Sequence, residues 1–274
     1  MSPHTSPAAD TAVRIGAPVW LELTTDDPTT ARNFYHGVFG WSFSEPYSEL
    51  GGYIDIYADG TSVGGLMSSV GMQCPEGGAI PNTWDVYLAV SNADAAVEQA
   101  QRAGARLLMG PYQAGDAGRF AMVLDPAGAP LGFWEATGFS GITASDAPGR
   151  PTWFESMSMD FDVSLPFYRD VLSWDVSWMG PEGGSDGFRY LTHGGGDAAV
   201  AGLCDATAFF PAGTPSFWRV YFEVEDADAT VIRVQELGGQ LISEAVDDSP
   251  FGRFATVADP TGATFLINQS LTGQ

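Results

Sequence analysis

One stretch of the chain occurs twice, and this duplication constrains the fold more than any other feature. Residues 18–41 read PVWLELTTDDPTTARNFYHGVFGW, and residues 151–174 read PTWFESMSMDFDVSLPFYRDVLSW. The matching Pro, Asp, Tyr and Trp positions are each 133 residues apart (151 − 18, 160 − 27, 168 − 35 and 174 − 41). Apolar residues alternate at the start of the first copy and then follow a helical spacing, which predicts a strand followed by a helix.

A second pair of repeats follows the first. TWDVYLAV (83–90) matches FWRVYFEV (217–224), and GRFAMVLDPAGA (118–129) matches GRFATVADPTGA (252–263), now at an offset of 134 (253 − 119). Four units of the βαβββ type are therefore predicted. Asp27 and Pro28 are typical of the start of the first helix, and Gly40 is typical of its end.

The repeats predict two domains, residues 17–137 and 150–270. The Gly-, Ser- and Pro-rich residues 138–149 indicate a linker. Residues 1–16 lack the apolar core of a signal peptide and are predicted to be a disordered leader.

The motifs D-x7-FY-x4-[GS]-W and GRFA-x4-DP-x-GA resemble those of the vicinal oxygen chelate superfamily, which includes glyoxalase I, bleomycin-resistance proteins and extradiol dioxygenases. The chain looks like its tandem two-domain form, of the hydroxylase or glyoxalase-like type. This resemblance implies an α+β fold of two glyoxalase-like domains. In each domain, two βαβββ modules form a cup-shaped mixed sheet with the helices outside and the ligand inside.

The composition limits the partners. The 34 acidic and 11 basic residues give a formal net charge of −23, which repels nucleic acid and anionic membrane surfaces. The two cysteines lie in different halves of the chain, which fits a reducing compartment. We therefore expect a cytoplasmic monomer or homodimer that binds a small hydrophobic or aromatic metabolite, with no nucleic-acid or membrane partner.

Strand alternation predicts which side chains line the cups. In WLELT, Leu21 and Leu23 should pack on the helices, so that the residues between them face the cup. The same reasoning on the other strands gives a cup surface that is mainly aromatic, as in small-molecule pockets. The predicted ligand-binding residues are Trp20, Tyr87, Trp134, Trp153, Met157, Arg219, Tyr221 and Asn268.

The resemblance also implies where a metal ion would be bound. Metal-dependent members carry His, Gln or Glu at matched inward positions. Here the matching positions hold Trp20, Asp85 and Gly132 in the first domain and Trp153, Arg219 and Leu266 in the second. A catalytic metal needs about three N or O ligands, so the sequence predicts no metal site and no cofactor.

Three carboxylates remain as candidate catalytic groups. Glu22 and Asp85 in the first cup could act as general acid or base, because burial or a like charge raises a carboxyl pKa. They could equally bond backbone or water at the mouth. Glu155 could act similarly in the second cup, or form a structural ion pair with Arg219.

Two functions are compatible with this pattern. The first is a metal-free protein that binds an aromatic metabolite, for polyketide or antibiotic biosynthesis or for resistance by sequestration. The second is a metal-independent enzyme of the hydroxylase, lyase or isomerase type that uses Glu22, Asp85 or Glu155 as acid and base. A metal-dependent glyoxalase or dioxygenase is disfavoured by the residues at the ligand positions.

Overall fold

The computed structural model describes residues 13–73, 77–180, 188–243, 247–249 and 252–271. The elements of the first repeat are β1 (Pro18–Thr25), α1 (Pro28–Phe39), β2 (Ser42–Phe43), β3 (Ile54–Ala58), β4 (Thr61–Ser68), β5 (Thr83–Ala89), α2 (Ala93–Arg102), β6 (Arg106–Ala114), β7 (Gly118–Leu124) and β8 (Pro130–Ala136). Those of the second repeat are β9 (Pro151–Ser158), α3 (Phe161–Asp170), β10 (Val176–Trp178), β11 (Tyr190–His193), β12 (Gly202–Asp205), β13 (Phe217–Glu223), α4 (Ala227–Glu236), β14 (Gln240–Leu241), β15 (Asp247–Ser249), β16 (Gly252–Ala258) and β17 (Thr264–Gln269).

Each repeat forms its own mixed sheet, which confirms the predicted α+β fold. The first has the strand order β2-β3-β4-β1-β5-β8-β7-β6. The second has the order β10-β11-β12-β9-β13-β17-β16-β14, with β15 paired to β16. The pairs β1·β4, β5·β8, β9·β12 and β13·β17 are parallel. The same strand arrangement is therefore produced twice by the duplicated sequence.

The chain divides into two compact units, and each unit contains segments of both repeats. The first unit contains the described residues within 1–20, 86–141 and 154–218, and the second those within 21–85, 142–153 and 219–274. In the second unit, helix α1 from the first repeat packs against α4 from the second. The domain boundaries at residues 137 and 150 stay a prediction.

Local signals place the helix ends. The Asp27 side chain accepts a hydrogen bond from the Thr30 N–H at 3.0 Å, and Pro28 occupies the first helical turn. Gly40 ends α1 with a left-handed φ of 71°, a conformation that costs glycine little. The predicted start and end of this helix are confirmed.

An aromatic cluster forms the core of the second unit. Tyr35 and Trp41 are fully buried and stack with ring centroids 5.3 Å apart. Trp41 Nε1 donates to the Gly149 carbonyl at 2.7 Å, which ties the linker to the helix α1 region. The indole is therefore part of the packed core, and its polar N–H is satisfied.

A buried histidine in the first unit is bonded to the segment that precedes β1. His193 is 1% exposed and stacks on Trp174. Its Nδ1 accepts from the Asp175 N–H and its Nε2–H donates to the Ile15 carbonyl, both at 3.0 Å. These two roles require the neutral ring. Burial, followed by the charge of Arg14, lowers the pKa of His193.

We expect this histidine to make stability depend on pH below neutrality. Because its folded-state pKa lies below the unfolded value of about 6.5, its contribution is present above that pH and is lost as pH falls, by at most about 1.4 kcal/mol per pH unit. Urea midpoints at pH 7, 6 and 5 should therefore fall more steeply for the wild type than for His193→Gln. Parallel losses in the two proteins would contradict this role.

Candidate functional site

The inner face of the first sheet, defined as the face opposite the helices, carries two carboxylates close together. Leu21 and Leu23 are fully buried on the other side of β1, so Glu22 and Thr24 lie on the inner face. Trp84, which precedes Asp85, donates from Nε1 to Tyr35 Oη of α1 at 2.8 Å, which fixes the helix side of β5. The structure thus brings Glu22 and Asp85 together, on neighbouring strands.

Asp85 has an unusual electrostatic environment. It is half-buried, and its Oδ2 accepts a hydrogen bond from Thr24 Oγ1 at 3.3 Å. Burial, and then the negative charge of Glu22, raise the pKa of Asp85 to about 7, although the Thr24 hydrogen bond acts in the opposite direction. At neutral pH both protonation states of Asp85 are therefore populated, which is the condition for efficient general acid–base catalysis.

A third carboxylate on this face was missed by the sequence reasoning. Asp55 on β3 is 1% exposed, and its Oδ2 accepts hydrogen bonds from Tyr47 Oη at 2.9 Å and Tyr57 Oη at 3.1 Å. Burial, followed by the charge of Asp55, raises the pKa of Tyr57 well above its usual value. Alternation in β3, where Ile54 and Ile56 are buried, was a signal that could have placed Asp55 and Tyr57 on the inner face.

Two aromatic residues that were predicted to bind the ligand contact Phe139 of the linker. Trp20 is 8% exposed and meets the Phe139 ring edge-on, with centroids 5.3 Å apart. Trp134 Nε1 donates to the Phe139 carbonyl at 3.0 Å. A ligand that stacks on Trp20 would therefore have to share or displace Phe139. Stacking on Trp20 and Trp134 stays a prediction.

Tyr87 lies over Gly132, its cross-strand partner on β8. A Cβ at Gly132 would collide with the Tyr87 ring, and Tyr87 is 3% exposed. Gly132 is one of the three positions at which the resemblance implies a metal ligand. Glycine there supplies no donor atom and instead makes room for the tyrosine ring.

The residues do not fit a chelated metal ion of the family type. Within the described ranges, no group of three or more His, Cys, Asp or Glu side chains is arranged to hold one. Trp20 contacts Phe139, Gly132 is covered by Tyr87, and Leu266 is a buried apolar residue. These positions therefore lack the N and O ligands that a catalytic metal ion of the family requires.

The part of the second sheet that lies in the first unit carries mainly apolar side chains on its inner face. Glu155 is 4% exposed, and Met157, two residues along the same strand, is 1% exposed. Met157 forms a hydrophobic cluster with Cys204 and Ala206, and several partly buried side chains pack against this cluster, namely Met159, Tyr190, Phe210 and Phe217. The proposed roles of Glu155 and Met157 in the site stay predictions.

The remaining predicted residues lie in the second unit. Trp153 is half-buried, and the Arg219 guanidinium lies over the Tyr221 ring, 5.4 Å from its centroid. Asn268 Nδ2 donates to Glu223 Oε2 at 2.9 Å, so its amide helps to fix a buried carboxylate. An ion pair between Glu155 and Arg219 stays a prediction, as do the ligand-binding roles of these residues.

The recurring Gly-Arg pairs have a structural role. Arg119 forms an ion pair with Asp94 on α2, and Arg253 forms one with Asp228 on α4 at 2.7 Å. The two arginines therefore connect β7 to α2 and β16 to α4. The Asp residues of the two repeated Asp-Pro turns are also structural. Asp125 Oδ1 accepts from the Ala127 and Ala129 N–H groups, and Asp259 Oδ1 accepts from the Thr261 and Ala263 N–H groups.

Comparison with known proteins places the chain in a family. The model of the Glyoxalase/Bleomycin resistance protein/Dioxygenase superfamily matches residues 17–133 and again 150–267. The chain belongs to this superfamily. The resemblance inferred from the repeated motifs is thereby confirmed.

Three similar proteins illustrate the range of this superfamily. "Putative glyoxylase CFP32" of Mycobacterium bovis is 35% identical over 257 residues, which cover 93% of this chain and 95% of that protein. "Anthracycline biosynthesis protein DauV" of Streptomyces sp. strain C5 is 32% identical over 263 residues, 92% of either chain. A Mn(II)-bound glyoxalase from Novosphingobium aromaticivorans has a TM-score of 0.61 at 17% identity and covers 94% of this chain and 83% of its own.

One of these similar proteins is bound to a metal ion, whereas the described residues of this chain do not fit one. The glyoxalase from Novosphingobium aromaticivorans binds Mn(II), and its likeness to this chain concerns the fold.

Among the described residues of this chain, no helix is long and apolar enough to cross a membrane.

Proposed function

We propose that the chain binds a small hydrophobic, aromatic metabolite without a metal ion on the inner face of the first sheet, and that Asp85 exchanges a proton with it. The observation that carries this proposal is the Glu22–Asp85 pair, in which burial and the charge of Glu22 raise the pKa of Asp85 to about 7. A carboxyl group of this kind costs the fold stability, and such groups are concentrated at functional sites.

Several features support the first sheet as the site. Its inner face combines carboxylates with the phenol rings of Tyr47 and Tyr57, which suit a flat ligand with polar substituents. On the second sheet, Met157 is already enclosed by its own hydrophobic cluster. The relatives named for anthracycline biosynthesis support an aromatic polyketide as the ligand class.

The chemistry follows from the protonation states. When Asp85 is protonated, it can donate a proton to a ligand oxygen. When it is ionised, it can accept a proton from a phenol or from a carbon acid beside a carbonyl. Thr24 holds the Asp85 carboxyl through its hydroxyl, which fixes the direction in which the proton is presented. This is acid–base chemistry of the lyase or isomerase type.

Binding of a dihydroxyanthraquinone, a flat aromatic probe with hydroxyl donors, tests the proposal. Its fluorescence titration between pH 5 and 9, in buffer containing EDTA, should show wild-type affinity that changes severalfold with a midpoint near pH 7. We expect Asp85→Asn to remove this pH dependence, because the amide does not titrate. Glu155→Gln is the matched control in the second sheet and should keep it.

Three results would overturn the proposal. The first is an unchanged midpoint near pH 7 in Asp85→Asn, which would show that another group titrates. The second is loss of binding in EDTA with recovery on addition of a divalent ion, which would restore the metal-dependent alternative. The third is a loss of the pH dependence in Glu155→Gln instead, which would move the site to the second sheet.

A further inference from the structure

A tyrosine hydroxyl lies over the cross-strand partner of Glu22. Gly65 on β4 is the cross-strand partner of Glu22 on β1, so both positions lie on the inner face. A Cβ at Gly65 would collide with the hydroxyl and the ring of Tyr53. Tyr53 Oη therefore occupies the space that a side chain at Gly65 would fill, next to the Glu22 side chain.

The same arrangement occurs in the second sheet. Gly202 on β12 is the cross-strand partner of Glu155 on β9, and a Cβ at Gly202 would collide with Tyr190 Oη. Tyr53 and Gly65 precede Tyr190 and Gly202 by the same 137 residues (190 − 53 and 202 − 65). A tyrosine tip above a glycine that neighbours a glutamate is thus a repeated device, formed once within each compact unit.

The hydrogen bonds of the neighbouring carboxylate indicate where the Tyr53 proton goes. On the other side of Gly65 lies Asp55, whose Oδ2 already accepts from Tyr47 and Tyr57. Asp55 Oδ1 has no hydrogen-bond partner in the part of the chain that the structure describes. Tyr53 therefore does not donate to Asp55, and Glu22 is the carboxylate on the remaining side.

We propose that Tyr53 donates a hydrogen bond to Glu22 and is the positioning residue that keeps Glu22 ionised, so that the shared proton of the pair resides on Asp85. A hydrogen bond to the charged form of a carboxyl group favours that form. Ionised Glu22 then disfavours a second negative charge on Asp85, which is the origin of part of its shifted pKa. The inference rests on the proposed function, because it assigns the proton of the same pair.

The second sheet provides a natural comparison. Arg219 stands at the sequence position that matches Asp85 (219 − 134 = 85). The Tyr190–Glu155 arrangement therefore has an arginine at the matching position of the second carboxyl group, so Tyr190 cannot influence how two acids share a proton. Tyr190→Phe removes the same atom from the same local geometry and is a matched control for Tyr53→Phe.

The test is a pH titration of the side-chain carboxyl carbons by NMR between pH 4 and 9, on the full chain without ligand. In the wild type, Asp85 should titrate near pH 7 and Glu22 at lower pH. In Tyr53→Phe, Glu22 should titrate at higher pH and Asp85 at lower pH, each by about half a unit or more, because the two sites are coupled. Tyr190→Phe should leave both curves unchanged.

A second pair of variants displaces the hydroxyl without removing it. Neither Gly65 nor Gly202 has a left-handed φ, so alanine is compatible with the backbone, and only the tip of a tyrosine has to move. Gly65→Ala should reproduce the effect of Tyr53→Phe on the two titration curves, whereas Gly202→Ala should not. A Gly65→Ala protein with wild-type curves would overturn the inference.

The outcomes separate this inference from the proposed function. If Asp85 titrates near pH 7 in the wild type and equally in Tyr53→Phe, Tyr53 has no positioning role, and the acid–base proposal stands. If Asp85 titrates near pH 4 in the wild type, the proposed acid–base role fails first. Equal shifts in Tyr53→Phe and Tyr190→Phe would show a general structural effect and would also overturn the inference.

Discussion

Replacing Asp125 by alanine is expected to lower the free energy of unfolding by about 4 kcal/mol. Asp125 is 3% exposed, and its Oδ1 accepts from the Ala127 and Ala129 N–H groups, both at 2.9 Å. Its Oδ2 accepts from Tyr168 Oη at 2.7 Å. Alanine would leave three donors, two of them buried, without their acceptor, and each buried donor left unsatisfied costs roughly 1–3 kcal/mol.

Urea denaturation of four proteins measures this effect. Asp116→Ala, which removes an exposed carboxylate, should change the free energy of unfolding by no more than about 0.5 kcal/mol. Tyr168→Phe should lose about 2 kcal/mol, because Trp218 Nε1, 3.0 Å from Tyr168 Oη, also loses its partner. A loss in Asp125→Ala no greater than that in Asp116→Ala would contradict the buried network.

The double variant tests whether the two residues act together. Because Asp125 and Tyr168 share one hydrogen bond, the double variant should lose less than the sum of the two single losses, by about 1 kcal/mol or more. Strict additivity would show that the contact contributes nothing beyond the separate groups. The network matters for architecture, because Asp125 belongs to the first repeat and Tyr168 to the second, and both lie in the first compact unit.

Local patterns were sufficient to predict the elements of the fold. The alternation of Leu21 and Leu23 with Glu22 fixed which side of β1 faces the helices, because successive side chains of a strand point in opposite directions. The helix from Pro28 to Phe39 followed from the Asp27 cap and from Gly40. These signals lie within a few residues of the structure they determine, so they can be read from the chain directly.

Other features depend on residues that are distant in sequence, and no local signal reveals them. The Tyr168–Asp125 hydrogen bond joins residues 43 positions apart, and the position of Tyr53 above Gly65 depends on the register of β4. Phe139 belongs to a stretch whose composition indicated only a linker, yet its ring contacts Trp20. Sequence reasoning found the Glu22–Asp85 pair because each residue follows strand alternation, but it missed Asp55.

The free energy of unfolding of Asp85→Asn, relative to that of the wild type, is expected to increase by about 2–3 kcal/mol between pH 5 and pH 8.5. The pKa of Asp85 is about 7 in the folded protein and about 3.9 in an unfolded chain. The folded state therefore binds the Asp85 proton more tightly. Wild-type stability falls as pH rises from about 4 to about 7 and is unaffected by this group above that range. The asparagine variant has no such loss.

Urea denaturation at pH 5 and at pH 8.5 measures the difference, with Asp116→Asn as a control that removes an exposed carboxyl group. The stability difference between Asp85→Asn and the wild type should become more favourable to the variant at pH 8.5, and the control should show no such change. An equal difference at the two pH values would mean that Asp85 does not retain its proton in the folded state, and the acid–base role would fail with it.

The two aspartates are thus expected to respond in opposite directions, and this contrast distinguishes a structural carboxylate from a functional one. Burial raises the pKa of Asp125 as well, but Asp125 is surrounded by donors that need it, so its removal destabilises the fold. Asp85 has one hydroxyl donor and a like charge beside it, so its ionised form is a burden on the folded state. A carboxylate that destabilises its own fold at neutral pH is the arrangement expected where proton transfer to a ligand requires it. Stabilisation in Asp85→Asn together with loss of the pH-dependent ligand response would establish both properties at the same atom.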